Sequence, residues 1–300
     1  MKVAVIVLNF NGKGRTVQLI NSIKSLNTTN ITLQIIVVDN ASTDGNIENI
    51  QLEYPEVILL VNQDNLGFAE GNNVGIRFSL KEKNEYVLLL NNDTSVDRDL
   101  LQCLIEAAIT HPKGGIFGPK IYFTREHETH KSKYTNKQLG NVLWYGGGII
   151  DWDNVLGSHR GVDEVDVGKY NLIQKTDFIS GCAMFVHREV FEKAGLLDKR
   201  YYLYYEDVDL CQRAVKKGYE LYYVPEAHVW HDNAKAAGGT GSDLQSYYIT
   251  RNRILFGMRY APWKTKLALF RESLNLLRHG TETQKQAIGD YLRRRYGKRK

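Results

Sequence analysis

The chain opens with short apolar runs separated by longer stretches of helical periodicity. The runs are residues 3–8, 35–39, 57–62 and 86–90, rich in Val, Ile and Leu. Such runs alternating with amphipathic segments predict parallel strands with helices on both faces, since only a strand covered on both sides is apolar throughout. Each run stops at a polar cluster: Asn9-Phe10-Asn11-Gly12, Asp39-Asn40-Ala41-Ser42, Asn62-Gln63-Asp64-Asn65 and Asn91-Asn92-Asp93. Open α/β sheets bind ligands beyond the carboxyl ends of their strands, so four polar tips on one edge predict a site there. Residues 124–143 are polar with little periodicity and read as a surface excursion. Strand character returns at 144–150 and 176–186, a helix follows at 208–217, then a strand at 219–224 and a loop holding His228 and His231. Gly238-Gly239-Thr240-Gly241 breaks the chain before helices that run to its end.

With 300 residues, 43% of them hydrophobic and 24% charged, the chain can bury the core of one large domain or of a domain with an appendage. Cys103, Cys182 and Cys211 lie far apart without a Cys-x-x-Cys pair, which argues against a disulfide framework or a cysteine zinc site and fits a reducing cytosol. The first apolar run is too short for a signal peptide, and no run approaches the ~18 apolar residues of a membrane-spanning helix. The expected location is the cytoplasm. The formal charge of +5 is unevenly spread: residues 259–300 hold 12 Lys or Arg against 3 Asp or Glu, which leaves −4 for the rest. In that tail Leu267, Phe270, Leu274 and Leu277 recur at helical spacing beside Lys264, Lys266, Arg271 and Arg278, and six of the last eight residues are basic. Such a segment either lies on the inner face of an anionic membrane as a peripheral contact or packs on the main domain and ends in a solvated charged tail.

Among chemical candidates, Asp39 ends a buried run and can accept hydrogen bonds from a nucleotide; the bland alternative is an Asx-turn with Ser42 or Thr43 capping the next helix. Residues 65–75 gather three glycines and three asparagines around a helix start. Glycine admits close backbone approach, and helix N-terminal N–H groups suit a diphosphate; tight packing of helix on strand is the alternative. Asp93 follows the most hydrophobic run, where one hard carboxylate plus phosphate oxygens suits Mg²⁺ or Mn²⁺. Glu206, Asp207 and Asp209 put three carboxylates in four positions at a helix start. Glu206 and Asp207 are candidates for proton abstraction, whereas Asp209 reads as a complement to the helix dipole. His231 can help to hold a divalent ion, and His228 reads as structural because no further zinc ligand lies near in sequence.

Val38-Asp39-Asn40-Ala41-Ser42-Thr43-Asp44, Asn65-Leu66-Gly67-Phe68-Ala69 with Asn72-Asn73, Leu89-Leu90-Asn91-Asn92-Asp93, Gly181-Cys182-Ala183-Met184-Phe185, Tyr205-Glu206-Asp207-Val208-Asp209 and Trp230-His231 follow one another in that order. Together they resemble the family 2 glycosyltransferases, especially the rhamnosyltransferase-like branch that extends bacterial surface polysaccharides. The resemblance covers most of residues 1–256. It implies an α/β, GT-A-type Rossmann-like fold, with a mixed, mostly parallel sheet flanked by helices and a C-terminal helical extension. Residues 1–237 would form the catalytic domain, with a donor half at 1–122 and an acceptor half at 144–237, and 238–300 the basic extension.

By the same resemblance Asp39 contacts the nucleobase, Asn72 and Asn73 the ribose or sugar, and Arg251 the donor phosphates. Asp93 and His231 hold Mg²⁺ or Mn²⁺, and Asp207 is the base with Glu206 beside it. Asn9, Asn11, Asn40, Gly67, Asn91, Asn92 and Trp230 complete the expected substrate contacts. One departure is that the family's metal motif is often Asp-x-Asp, and Asn91 stands at its first position. That makes His231 more necessary. The implied reaction is inverting transfer of a sugar from dTDP-rhamnose or a UDP-sugar to a hydroxyl of a glycan or polyprenyl-linked acceptor. A non-catalytic sugar-nucleotide or polysaccharide-binding protein is the competing reading. A nicotinamide oxidoreductase is disfavoured, because Asn9-Phe10-Asn11-Gly12 stands where its glycine fingerprint would follow the first strand. No nucleic-acid partner is expected.

Overall fold

The computed structural model describes residues 1–45, 47, 49–232 and 242–299. Its elements run β1 (Lys2–Asn9), α1 (Lys13–Lys24), β2 (Thr32–Asp39), α2 (Asn49–Glu53), β3 (Ile58–Val61), α3 (Gly67–Lys81), β4 (Tyr86–Asn91), β5 (Thr94–Val96), α4 (Leu100–Thr110) and β6 (Gly114–Phe123). There follow β7 (Leu143–Tyr145), β8 (Gly148–Asp151), β9 (Leu156–His159), β10 (Gln174–Lys175), β11 (Ala183–His187), α5 (Arg188–Ala194), α6 (Glu206–Lys216) and β12 (Glu220–His231). Helices α7 (Asp243–Tyr260), α8 (Trp263–His279) and α9 (Glu282–Leu292) close the chain.

Ten strands make one mixed sheet in the order β10-β12-β6-β11-β4-β1-β2-β3, with β5 on β12 and β7 on β6. The long pairings of β1 with β2 and β4, of β2 with β3 and of β6 with β12 are parallel. β11 is antiparallel between β4 and β6, so residues of both expected halves share one sheet. The central strands are buried on both faces: Val3 to Val7, Ile36 to Val38 and Val87 to Leu90 are fully or almost fully covered. That is why their sequences are apolar without alternation. Register aligns the tips, since Asn9 pairs with Asp39 and Leu8 with Asn91.

Two expectations need correction. The loop expected after residue 224 is strand: β12 continues to His231, with a register shift between Val224 and His228. Pro225, which has no N–H to give a ladder, lies in that interruption and made the segment read as a loop. The 124–143 excursion is not merely a surface loop. Glu128 and Leu139 are buried, Glu128 accepts the Gly140 N–H at 2.6 Å, and the segment covers the end of β12 through Trp230 Nε1, which donates to the Gly140 carbonyl at 3.2 Å. The glycine-rich break at 238–241, and with it the expected domain boundary, lies outside the described residues. The described end of the chain is tied back to the domain by its backbone, while Arg293, Arg294, Arg295 and Lys298 stay exposed. The Gly297 N–H donates to Arg200 O at 2.9 Å, and the Arg299 N–H donates to the Tyr248 hydroxyl at 2.8 Å.

Candidate active site

The strand tips close on one another through side chains. Asn9 Nδ2 donates to Asp39 Oδ1 at 2.7 Å and to Ser42 Oγ at 2.9 Å. Asp39 also accepts the Ser42 N–H at 3.0 Å and its hydroxyl at 2.6 Å. This is the turn-forming geometry that was the bland alternative for Asp39. Asn92 Nδ2 reaches Asn9 Oδ1 (3.3 Å) and Thr16 Oγ1 (3.2 Å), and Thr16 donates to Asn9 at 2.8 Å. Asn92 covers Gly12 so closely that a Cβ there would lie 2.5 Å from its Nδ2. Asn11, in left-handed backbone, accepts the Thr43 N–H at 2.7 Å. Asn91 is held by its N–H to the Cys182 carbonyl at 2.9 Å.

Several expected substrate contacts are instead spent inside the protein. Asn40 donates to Asn65 and the Gly67 carbonyl and accepts from Asn62 and the Leu66 N–H, so its amide is saturated. Asn73 donates to Leu197 O at 2.8 Å and accepts Leu197 N–H at 3.0 Å. Asn72 donates to the Phe68 carbonyl at 2.9 Å. The N–H groups of Phe68 and Ala69, at the start of α3, both point at the Tyr202 carbonyl (2.7 and 3.2 Å) rather than at an open cleft. Gly67 has φ +77° and lies under the Tyr202 ring, while Gly71 and Gly75 face Leu8 and Ile6 closely enough that a Cβ would clash. The packing reading of the 65–75 segment therefore accounts for its glycines.

Arg251, expected near phosphates, is fully buried. It donates to the carbonyls of Gly297, Arg200 and Tyr201 and to Asn252, and sits over the rings of Tyr247 and Tyr248. Trp230 faces away from His231 because successive strand side chains alternate. It stacks on Tyr122 at 6.0 Å, whereas His231 meets Trp144 edge-on at 4.7 Å. His228 shares the Trp230 face.

The chemistry converges around residues 181–182. β5 pairs with β12 so that Thr94 lies opposite His231, which brings Asp93 Oδ1 to 3.2 Å from His231 Nε2. Both side chains are buried, and neither Asp93 Oδ1 nor His231 Nδ1 has a hydrogen-bond partner among the described residues. Burial disfavours charge on His231, yet the Cys182 sulfur and the Asp93 carboxylate outweigh it and raise its pKa to about 10. On the other side of the turn, Gly181 N–H donates to Asp207 Oδ2 at 2.8 Å and Val208 N–H donates to Oδ1 at 2.8 Å. Burial still pushes the Asp207 carboxyl above the ordinary range. Glu206 is buried with Oε2 unpartnered among the described residues. Burial, then the charge of Asp207, raises its pKa well above the usual value. Asp232, next to His231, pairs with His127 of the excursion and lies 3.8 Å from Arg15.

Asp209 is structural, though through ion pairs and hydroxyls rather than a helix dipole alone. It accepts from Arg213 at 2.7 Å, Arg259 at 2.9 Å and Tyr260 at 2.7 Å. Thr16, Trp144 and Cys182 were not among the expected site residues. Only Cys182 had a signal, the Gly181-Cys182 motif; Trp144 reaches His231 through a fold-back that no local pattern announces.

An α/β domain with a polar carboxyl edge, a buried carboxylate–imidazole pair and a second acidic pair beside it is a group-transfer fold of the GT-A type. Residues 4–195 match the model described as Glycosyl transferase family 2, and the chain belongs to that family. Relatives make it rhamnosyltransferase-like. An N-acetylglucosaminyl-diphospho-decaprenol L-rhamnosyltransferase of Mycobacterium tuberculosis is 28% identical over 77% of this chain and 76% of the relative. The dTDP-rhamnosyl transferase RfbF of Shigella flexneri is 22% identical over 74% and 69%. The Rhamnosyltransferase WbbL of Escherichia coli is 26% identical over 55% and 60%. Among solved structures, GalNAc-T7 with UDP, GalNAc and Mn²⁺ superposes with a TM-score of 0.63 at 16% identity, over 91% of this chain and 55% of that one. The chain thus spans about half of that enzyme's length. The mannosyltransferase PcManGT of Pyrobaculum calidifontis, in complex with GDP-Man and Mn²⁺, gives 0.56 at 15%, over 97% and 74%. The family membership supports the enzyme reading over that of a non-catalytic binding protein.

Proposed function

We propose that the chain catalyses metal-dependent, inverting transfer of a sugar from a dTDP- or UDP-sugar, dTDP-rhamnose foremost, to a hydroxyl of a glycan or polyprenyl-linked acceptor in cell-surface polysaccharide synthesis. The observation that carries this is the convergence at residues 181–182 of the Asp93–His231 pair with the Asp207 carboxylate. The names of the mycobacterial and Shigella relatives support the lipid-linked acceptor and the dTDP donor. Residues 1–237 would act as the catalytic unit and the basic segment as a peripheral contact with the membrane that carries the acceptor.

The donor set fits Mg²⁺ or Mn²⁺. Asp93 would supply a hard oxygen and His231 an imidazole nitrogen 3.2 Å from it, and His231, whose raised pKa favours the protonated form, would give up that proton on binding the ion. No cluster of three or more metal-ligating side chains occurs among the described residues. Such an ion would take its remaining ligands from the diphosphate and water, as hard cations commonly do. When bound it would neutralise charge developing on the leaving diphosphate.

The protein's own groups supply the rest. Asp207, with two of its four lone-pair sites taken by backbone N–H groups, keeps two free to accept a proton from the attacking hydroxyl. Its raised pKa makes it a stronger base than an ordinary aspartate. Glu206 beside it stays protonated further up the pH scale, which keeps a second negative charge away from the nucleophile.

Transfer from nucleotide sugars, followed by release of nucleoside diphosphate and by the anomeric configuration of the product, tests this reading. Turnover should stop with EDTA and return with Mn²⁺ or Mg²⁺. Asp207→Asn should bind donor normally and turn over at least about a hundredfold more slowly. EDTA insensitivity or near-normal turnover in that variant would refute the assignment.

A further inference from the structure

The C-terminal extension carries its apolar stripe on the outside. The side of α8 that packs inward presents Thr265, Leu269 and Ser273, all buried. Leu269 fills the space beside Gly257 of α7. The outward side presents Trp263 (69% exposed), Leu267 (41%), Phe270 (52%) and Leu274 (43%). At 100° per residue these four fall within a narrow stripe, with Leu277 at its edge. Lys264, Arg271 and Arg278 lie along one flank and Lys266 along the other. Glu272, the acidic residue of α8, lies away from the stripe and is held by Arg253 at 2.7 Å. The inward side buries Leu269 alone among the large apolar residues of α8, whereas Trp263, Leu267, Phe270 and Leu274 stay outside.

We infer that α8 is a membrane-docking helix that lies in the plane of an anionic lipid surface, with Trp263, Leu267, Phe270 and Leu274 entering the headgroup–acyl boundary. An aromatic and leucine stripe bordered by Lys and Arg is the composition such helices have. Docking of a second copy on the same face is disfavoured by charge, because two α8 helices set face to face would oppose Lys264 and Lys266 to Arg271 and Arg278 without intervening acids. No described helix is long and apolar enough to cross a membrane, so the contact lies on the surface. The inference deepens the proposed function, for which it holds the enzyme where a lipid-linked acceptor resides. Its test needs neither donor nor acceptor.

The full-length protein is floated with phosphatidylcholine vesicles, with and without phosphatidylglycerol, at low and high salt, and compared with Phe270→Ser/Leu274→Ser and with Lys264→Glu/Arg271→Glu. The wild type should co-float with anionic vesicles only and release as salt rises. Both double variants should lose at least tenfold in partitioning, since each basic side chain near an anionic leaflet multiplies affinity about fivefold. These side chains are exposed, so melting temperature and transfer to a water-soluble acceptor should match wild type. Equal flotation of wild type and variants, or equal binding to neutral vesicles, would overturn the inference. So would a dimer in light scattering that Phe270→Ser/Leu274→Ser abolishes without any lipid binding by the wild type.

Discussion

Replacing Asn252 by Ala should slow catalysis much more than it weakens donor binding. Asn252 touches none of the candidate catalytic groups. Its Nδ2 donates to the carbonyls of Tyr201 (2.9 Å), Leu203 (2.8 Å) and Tyr204 (2.9 Å), in the segment that enters α6 just before Glu206 and Asp207. That segment is strained, with Tyr202, Tyr204 and Tyr205 at φ 66°, 68° and 73°. Left-handed backbone costs a side-chain-bearing residue about 1–2 kcal/mol, so the three together cost about 3–6 kcal/mol. Two amide hydrogens shared among three carbonyls return about 2–3 kcal/mol, which offsets about half of the strain. Without them the carbonyls lose their partners, and the turn relaxes toward right-handed conformations that re-aim Asp207. A shift of about 1 Å at a reacting group can cost a hundredfold in rate. The variant should therefore lose about 10- to 100-fold in kcat with nearly unchanged donor affinity, while the melting temperature falls by roughly 3–5 °C. Steady-state kinetics, donor titration and thermal melts on the same preparation separate these effects. A lower melting temperature with wild-type kcat would mean that Asn252 stabilises the fold without positioning the acidic pair.

Two further substitutions test other steps. A Cβ on Gly75 would lie 2.7 Å from Ile6 Cγ2, so Gly75→Ala should cost about 1–3 kcal/mol of stability and leave donor affinity alone; weaker donor binding at unchanged melting temperature would revive the ligand reading of the 65–75 segment. Glu206 holds its proton more tightly folded than unfolded, so the unfolded chain releases that proton first and wild-type stability falls as pH rises above about 4.5 toward the raised folded value. Glu206→Gln should then melt higher than wild type by a margin that widens from about pH 5 upward, and melting curves that stay parallel across that range would contradict its buried, ionisation-resistant state.

The parallel core was legible because the physics that buries it writes a one-dimensional signal: Val3 to Val7 and Val87 to Leu90 are covered on both faces, so nothing polar interrupts them. The polar tips were equally legible, since a strand that ends at a sheet edge must hand its last groups to water, ligand or each other. The identity of the partner was not legible. Asn40, Asn73 and Arg251 have the residue types that bind nucleotides, but the same amide and guanidinium donors serve backbone carbonyls that long, strained connections leave without secondary-structure partners. Tyr201, Leu203 and Tyr204 offer such carbonyls to Asn252, and Leu197 to Asn73. The direction of Trp230 was not legible for a different reason. Once residues 228–231 are strand, alternation sends neighbours to opposite faces, and only one of Trp230 and His231 can meet Asp93. Asp93 itself illustrates the limit most clearly. A carboxylate after a hydrophobic strand is ambiguous until the antiparallel pairing of β5 with β12 sets Thr94 against His231, and that pairing joins residues more than a hundred positions apart. The metal reading depends on this long-range register, so a change that slips β5 against β12 should cost metal affinity even with Asp93 and His231 both present.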